Sequence, residues 1–259
     1  MKKDRLNFIV NHFYSHLREF VNGIPYHRYE CDEMLDNSRN TIEKVTAPDG
    51  TKLVIKCYKR PTLVNQVVYT FLRWSKPKRS YIFANMLWEN DIQTADQVAY
   101  IEMFKWGIFH TGYYITRFIS DELLENVNAL NEEDREFVLH DFAQFTYDLH
   151  LKGIKHGDYN AKNVFFRHEN GRYIFTLIDI NRLQFRRRMT KKSCIKEFQR
   201  LLSRKDLIIV AERYAELRGW NVDLFCGAVL MNRGLNITGK FKRVLHAVIR
   251  PFVSNENRR

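Results

Sequence analysis

The chain has 259 residues with 42 Lys plus Arg against 30 Asp plus Glu, a formal charge of +12. Its 45% hydrophobic and 28% charged residues are close to soluble globular averages and argue against a disordered or fibrous chain. The charge favours an anionic partner, such as nucleic acid, a phospholipid surface or a phosphorylated substrate, without choosing among them. No run approaches the roughly 18 uninterrupted apolar residues of a membrane span, so any membrane contact is expected to be peripheral.

The start, Met1-Lys2-Lys3-Asp4-Arg5, is basic, but no apolar core and small-residue cleavage site follow it, so secretion is not indicated and a cytoplasmic protein is expected. Cys31, Cys57, Cys194 and Cys226 lie far apart without a C-x-x-C pair, which points to reduced thiols and not to a zinc site. Arg39 to Ala47 and Thr51 to Tyr58 read as strands of a hairpin joined by Pro48-Asp49-Gly50. Period two places Leu53, Ile55 and Cys57 on one face and Lys52, Val54, Lys56 and Tyr58 on the other, a plausible seat for a functional lysine at Lys56.

Leu63 to Trp74 is densely apolar, and a helix from about Lys78 to Asn90 sets Ala84, Leu87 and Trp88 on its apolar side, with Met86 a further core candidate. Strands are expected over Gln97 to Glu102 and Tyr113 to Phe118, separated by a segment holding Gly107 and Gly112. After a boundary near residues 118 to 121 the pattern turns helical. Asn131 caps a helix with Glu132, Glu133 and Asp134 in its first turn, Val138, Phe142, Phe145 and Leu149 form a buried stripe, and Lys152-Gly153 stops it. One hairpin follows over Asn163 to Asp179, then helical segments to the end.

His156-Gly157-Asp158-Tyr159-Asn160-Ala161-Lys162-Asn163 precedes that hairpin, and Leu177-Ile178-Asp179 closes it. An Asn170-Gly171 turn makes the two strands antiparallel, so Asp158, Asn163 and Asp179 should converge at one end, three oxygen donors suited to a hard cation and a hydroxyl. Phosphoryl transfer needs this set: a carboxylate to orient the attacking hydroxyl and oxygen ligands for Mg²⁺. In the kinase arrangement Asp158 is the base, Asn163 and Asp179 hold the metal, and Lys162, four residues after Asp158, could reach the transferring phosphate. His156 is expected to orient this loop and not to move protons.

H-G-D-Y-N-A-K-N-V followed by L-I-D-I-N-R resembles the lipopolysaccharide kinase family, which phosphorylates Kdo or heptose of the inner core. Leu53-Val54-Ile55-Lys56 resembles that family's nucleotide-binding strand, and Ala84 to Ala99 its helix and following turn, although Asp91-Ile92-Gln93-Thr94-Ala95 lacks the family's Gly and Pro. The likeness covers about residues 39 to 200. It implies an α+β, protein-kinase-like, two-lobed fold, with a β-rich N-lobe over 1–118 and an α-rich catalytic C-lobe over 119–259. It also implies ATP bound through Lys56, Mg²⁺, and an anionic glycolipid acceptor at the cytoplasmic face of the inner membrane.

Residues 36 to 44 contain no glycine where a phosphate-covering loop would lie, and Ser80 stands where a glutamate partner for Lys56 would be. Asp179-Ile180-Asn181 in place of Asp-Phe-Gly argues against a regulated protein kinase. Arg182, Arg186, Arg187, Arg188, Lys191 and Lys192 could steer an anionic acceptor, while Leu63 to Trp74 with Lys76, Lys78 and Arg79 could touch a membrane. The aromatic residues fall at core periods, so no base-stacking platform and no nucleic-acid role is expected. An inert kinase-like interaction protein, and a kinase for a protein or small-molecule acceptor, remain the alternatives.

Overall fold

The computed structural model describes residues 4–234. The chain divides into two compact units, Met1–Ser120 with Asp179–Asn181, and Asp121–Ile178 with Arg182–Arg259. The last part of the expected helical tail, residues 235–259, lies outside the described residues.

The first unit contains β1 (Arg5–Val10), α1 (Arg18–Gly23), β2 (Glu33–Asp36), β3 (Thr41–Thr46), β4 (Lys52–Tyr58), α2 (Leu63–Phe71), α3 (Lys76–Trp88), β5 (Gln97–Lys105) and β6 (Ile108–Arg117). The strands form one antiparallel sheet in the order β1-β5-β6-β4-β3-β2. The β3–β4 hairpin is the expected one, and its alternation holds. Leu53 and Ile55 are fully buried in an aliphatic cluster with Val45, Val98, Ile101 and Ile115, and Cys57 packs against it. Tyr58, two residues from Lys56, joins Tyr81, Tyr100 and Tyr114 in a separate tyrosine cluster.

The β5–β6 pair differs from expectation. It is a hairpin closed by the two-residue turn Trp106-Gly107, both with positive φ (58° and 82°), and Gly112 lies inside β6 and not in a loop. Gly112 is there because backbone approaches closely: a Cβ would sit 2.5 Å from the Ile101 carbonyl oxygen and 2.7 Å from Pro77 Cγ. In α3, capped by Ser75, the buried arc is Ser80, Tyr81, Ala84 and Leu87. Trp88 oversteps that arc by one position and is exposed, while Arg79, expected at the surface, is buried. Asp91 follows α3 with φ 53°, taking the left-handed conformation at which a glycine would be unstrained.

The second unit contains β7 (Glu122–Leu123), α4 (Glu132–Leu151), β8 (Ile154–Lys155), β9 (Val164–Glu169), β10 (Arg172–Leu177), β11 (Gln184–Phe185), α5 (Lys191–Glu197), α6 (Arg204–Leu217) and α7 (Val222–Asn232). Asn131 Oδ1 accepts the Asp134 amide at 2.9 Å as the α4 cap, and Val138, Phe142 and Leu149 are fully buried, with Phe145 half-buried against Phe175. Helix α6 is tied to α4 by a buried ion pair: Asp206, with no exposed surface, accepts from Arg135 Nε at 2.9 Å and from Ser203 Oγ at 2.6 Å. Phe198, Tyr214, Trp220 and Phe225 pack their rings together between the later helices. All four cysteines are free. Among the described residues no helix is long and apolar enough to cross a membrane.

Candidate active site

The loop after β8 is built from buried hydrogen bonds. The Glu197 carboxylate, delivered by α5, accepts the backbone N–H of His156 at 2.6 Å and of Gly157 at 3.1 Å. Burial pushes the Glu197 carboxyl up in pKa, against the opposing pull of those two amides and of Lys155 and Arg186. His156 is fully buried: its Nε2 lies 3.1 Å from the Ile178 carbonyl oxygen, and its Nδ1 accepts the Asp158 N–H at 3.3 Å. A carbonyl only accepts and an amide only donates, so His156 is the neutral Nε2–H tautomer, an orienting group for the loop. It stacks on Tyr159, whose hydroxyl meets Thr146 of α4 at 2.9 Å.

Gly157 is required here on two counts. Its φ is +77°, and a Cβ would stand 2.7 Å from the Arg182 carbonyl oxygen.

Asp158 and Asn163 are brought together. Asn163 Nδ2 donates to the Asp158 carbonyl at 2.9 Å, beside a second donation from Asn160 Nδ2 at 3.0 Å. The tie fixes the Asn163 amide and leaves Oδ1 as its acceptor for a cation. The Asp158 carboxylate meets Arg200 at 3.0 Å through Oδ1 and Arg182 at 3.3 Å through Oδ2. The β9–β10 hairpin has the expected register: Val164 pairs with Leu177, the turn is Asn170-Gly171, and the Ile178 N–H reaches the Asn163 carbonyl at 3.0 Å. Asp179 is the next residue in the chain. Lys162, by contrast, is 76% exposed and turned to Glu125 at 3.6 Å, so Asp158 is flanked by arginines and not by this lysine. A pocket of about 350 Å³ borders the loop, lined by Asn160, Lys162, Arg200, Ser203 and Arg233 with Glu125 as its acid.

Lys56 and Asp179 are also brought together, within the first unit. Lys56 sits on β4 opposite Ile42 of β3 and Tyr114 of β6, with its side chain only 14% exposed, and its Nζ donates to Asp179 Oδ1 at 2.8 Å. Asn181 Nδ2 donates to the same oxygen at 2.6 Å. Asp179 has φ 52°, a left-handed conformation that a non-glycine residue seldom adopts. The partner of Lys56 is therefore this acid, 123 residues away, and not a residue of α3. Ser80, at the position where a glutamate would be sought, instead meets the Tyr58 hydroxyl at 3.0 Å, and the Lys56 ammonium lies 5.5 Å from the Tyr58 ring centroid.

Sequence reasoning did not single out Glu197, Arg200, Asn160 or the pairing of Arg182 with Asp158. Arg182 was visible as the close of L-I-D-I-N-R and as part of a basic cluster, which the structure divides: Arg186 bonds Gln184, and Lys191 lies over the Trp220 ring at 5.3 Å. Glu197 and Arg200 had no signal, since each acts across some forty residues of sequence. Among the described residues no group of three or more His, Cys, Asp or Glu side chains is gathered as a self-sufficient metal site. A Mg²⁺ carried by a nucleotide needs only one or two protein oxygens.

Residues 111–218 match the family model of the lipopolysaccharide kinase (Kdo/WaaP) family. No curated protein sequence matches the chain significantly. Among solved structures, WaaP in complex with acyl carrier protein is similar at a TM-score of 0.55 and 16% identity, over 93% of this chain and 98% of that one. The Rio2 kinase from Chaetomium thermophilum, as an ADP/Mg²⁺-phosphoaspartate complex, is similar at 0.50 and 13% identity over 95% and 78%. The gentamicin complex of APH(2")-IIa is similar at 0.50 and 13% identity over 86% and 87%. The fold is protein-kinase-like, and residues 111–218 are similar to the phosphotransferases of the lipopolysaccharide kinase (Kdo/WaaP) family.

Proposed function

We propose that the chain is an ATP-dependent kinase that phosphorylates a sugar hydroxyl of the lipopolysaccharide inner core, Kdo or heptose. The observation that supports this most directly is the 2.8 Å pair between Lys56 and Asp179, a cation of the kind that binds phosphate beside an acid of the kind that binds a metal. In this reading Lys56 holds the nucleotide phosphates, and Asn163 and Asp179 supply oxygens to Mg²⁺. Magnesium-bound ATP supplies the phosphoryl group and the charge that offsets the developing negative charge. Asp158 orients the sugar hydroxyl and accepts its proton, with Arg182 and Arg200 fixing the carboxylate. Lys162, whose ammonium is turned to Glu125 at 3.6 Å, would have to leave that acid to meet the transferring phosphate.

The pocket lined by Lys162, Arg200 and Arg233 suits an acidic sugar. ATP as donor puts the reaction on the cytoplasmic side of the inner membrane. The test is incubation of the chain with labelled ATP and a panel of inner-core glycolipids, scored by mass. A gain of one phosphate on a Kdo- or heptose-containing acceptor is the expected result, and absence of label from every member would discard the acceptor class.

Both oxygens of Asp158 are held by arginines, and this favours, as a second reading, a nucleotide-binding protein with little transfer. Slow ATP hydrolysis that disappears in Asp158→Ala separates the two, since an inert binder shows none in either form.

A further inference from the structure

Helix α2 is mounted with its apolar side outward. At about 100° per residue, Leu63, Val64, Val67 and Phe71 fall within one arc of roughly a quarter turn. Three of them, Leu63, Val64 and Phe71, are 74%, 74% and 73% exposed. The side towards the sheet carries Tyr69 and a buried Gln66, which donates to the Pro61 carbonyl at 2.9 Å, with Thr70 at its edge. Tyr69 packs on the Phe109 ring at 5.6 Å, and Thr70 Oγ1 accepts the Phe109 N–H at 2.9 Å. A soluble surface helix has the reverse arrangement.

Leu72 (81% exposed) and Trp74 extend the apolar surface past the helix end. The β5–β6 turn adds Trp106 (85% exposed) and Ile108, next to the Phe109 that anchors the helix. Eight large apolar side chains, between 39% and 85% exposed, are more than the singly scattered hydrophobics of an ordinary surface.

We propose that this face docks on a bilayer containing anionic phospholipid, with the α2 and Trp106 side chains entering the interface and Lys59 and Arg60 taking the headgroup phosphate. Charge selects the occupant. From Lys59 to Trp88 the sequence has Lys59, Arg60, Arg73, Lys76, Lys78 and Arg79 and no acidic residue. All but the buried Arg79 are at least partly exposed. Lys105, exposed beside Trp106, adds to the rim. A pocket of about 270 Å³ at the start of α2 is lined by Arg39, Lys59, Arg60, Thr62, Asn65 and Lys76, and no carboxylate lines it. An apolar face with cations along its edge is the chemistry of an interfacial helix, and exposed tryptophans suit the headgroup level. A second copy would set one cationic rim against another, which disfavours self-association. The proposal does not rest on phosphotransfer.

The test is co-sedimentation of the full chain with phosphatidylcholine vesicles, with and without phosphatidylglycerol. The expected result is partition about tenfold stronger or more onto phosphatidylglycerol vesicles, weakened by salt, with a blue shift of tryptophan emission. Val67→Ser with Phe71→Ser should lower partition about tenfold at unchanged melting temperature. Lys59→Ala with Arg60→Ala should abolish the preference for anionic lipid, and Asp158→Ala should bind vesicles as the parent does. The proposal is overturned if the chain stays in the supernatant or if the serine substitutions leave partition unchanged. It is overturned equally if those substitutions abolish binding of an acidic carrier protein, or dimerisation, while vesicle partition stays as it was.

Discussion

Lys56 in the first unit and Asp158 in the second are positioned by different physics. Lys56 is aimed by strand alternation: two apolar neighbours, Ile55 and Cys57, turn to one face and force it to the other, where its ammonium lies 5.5 Å from the Tyr58 ring centroid. Asp158 sits in a loop with no ladder of its own and is held by groups from elsewhere in its unit, Glu197 and Arg200 above all. A sheet thus specifies direction cheaply and locally, whereas a loop depends on every buried donor finding its acceptor. Damage at Lys56 should accordingly be confined to activity, whereas damage to the groups that hold the Asp158 loop should reach stability.

Five substitutions or conditions sharpen or break that contrast. The largest effect is expected at Asp158→Ala, which should cut turnover by about 10³-fold, roughly 4 kcal/mol of transition-state stabilisation, with little change in melting temperature. Turnover assays beside thermal melts check it, and retention of parent activity would remove Asp158 from the chemistry. Arg135→Ala leaves the buried Asp206 carboxylate with Ser203 alone and should cost about 3–4 kcal/mol of stability in denaturant unfolding.

Glu197→Ala strips the acceptor from two loop amides and should cost about 2–3 kcal/mol while also lowering activity. By contrast Lys56→Ala should lower activity about hundredfold and stability by about 1 kcal/mol or less, because its pair with Asp179 is partly solvated. Equal losses of stability at Lys56 and Glu197 would erase the difference between the two supports.

The smallest effect is a pH dependence from His150. Burial, with Arg218 and Lys155 nearby, lowers its pKa to about 3, and its Nδ1 meets the Tyr214 hydroxyl at 2.8 Å. The unfolded chain takes up a proton near the ordinary histidine value while the folded chain does not. Stability is therefore complete above about 6.5 and falls as pH drops towards about 3, by up to about 1.4 kcal/mol per pH unit. Melts at pH 7 and pH 5 should differ by about 1–2 kcal/mol from this group, and His150→Phe should flatten the difference.

Legibility followed the same division. The β3–β4 hairpin, the α4 cap and stripe, and the β9–β10 hairpin were readable because each is set by neighbours within a few residues. The β5–β6 turn was misread because Trp106 takes a left-handed conformation usually given to Asn or Asp, and because Gly112 serves packing against Ile101 and Pro77. Strand β1 and helix α1 carried no strong local signal and owe their place to the aliphatic cluster they cover. The outward mounting of α2 was equally hidden, since periodicity reports an apolar face and not which way it points.

By itself the sequence determined the H-G-D-Y-N-A-K-N loop, its hairpin and the direction of Lys56, because backbone periodicity and turn chemistry act between residues a few positions apart. Tertiary structure alone decided that Asp179 answers Lys56, that Arg182 and Arg200 hold Asp158, and that Glu197 secures the loop. Those pairings join groups made neighbours by packing, and burial of each polar atom demands a partner that no local pattern names.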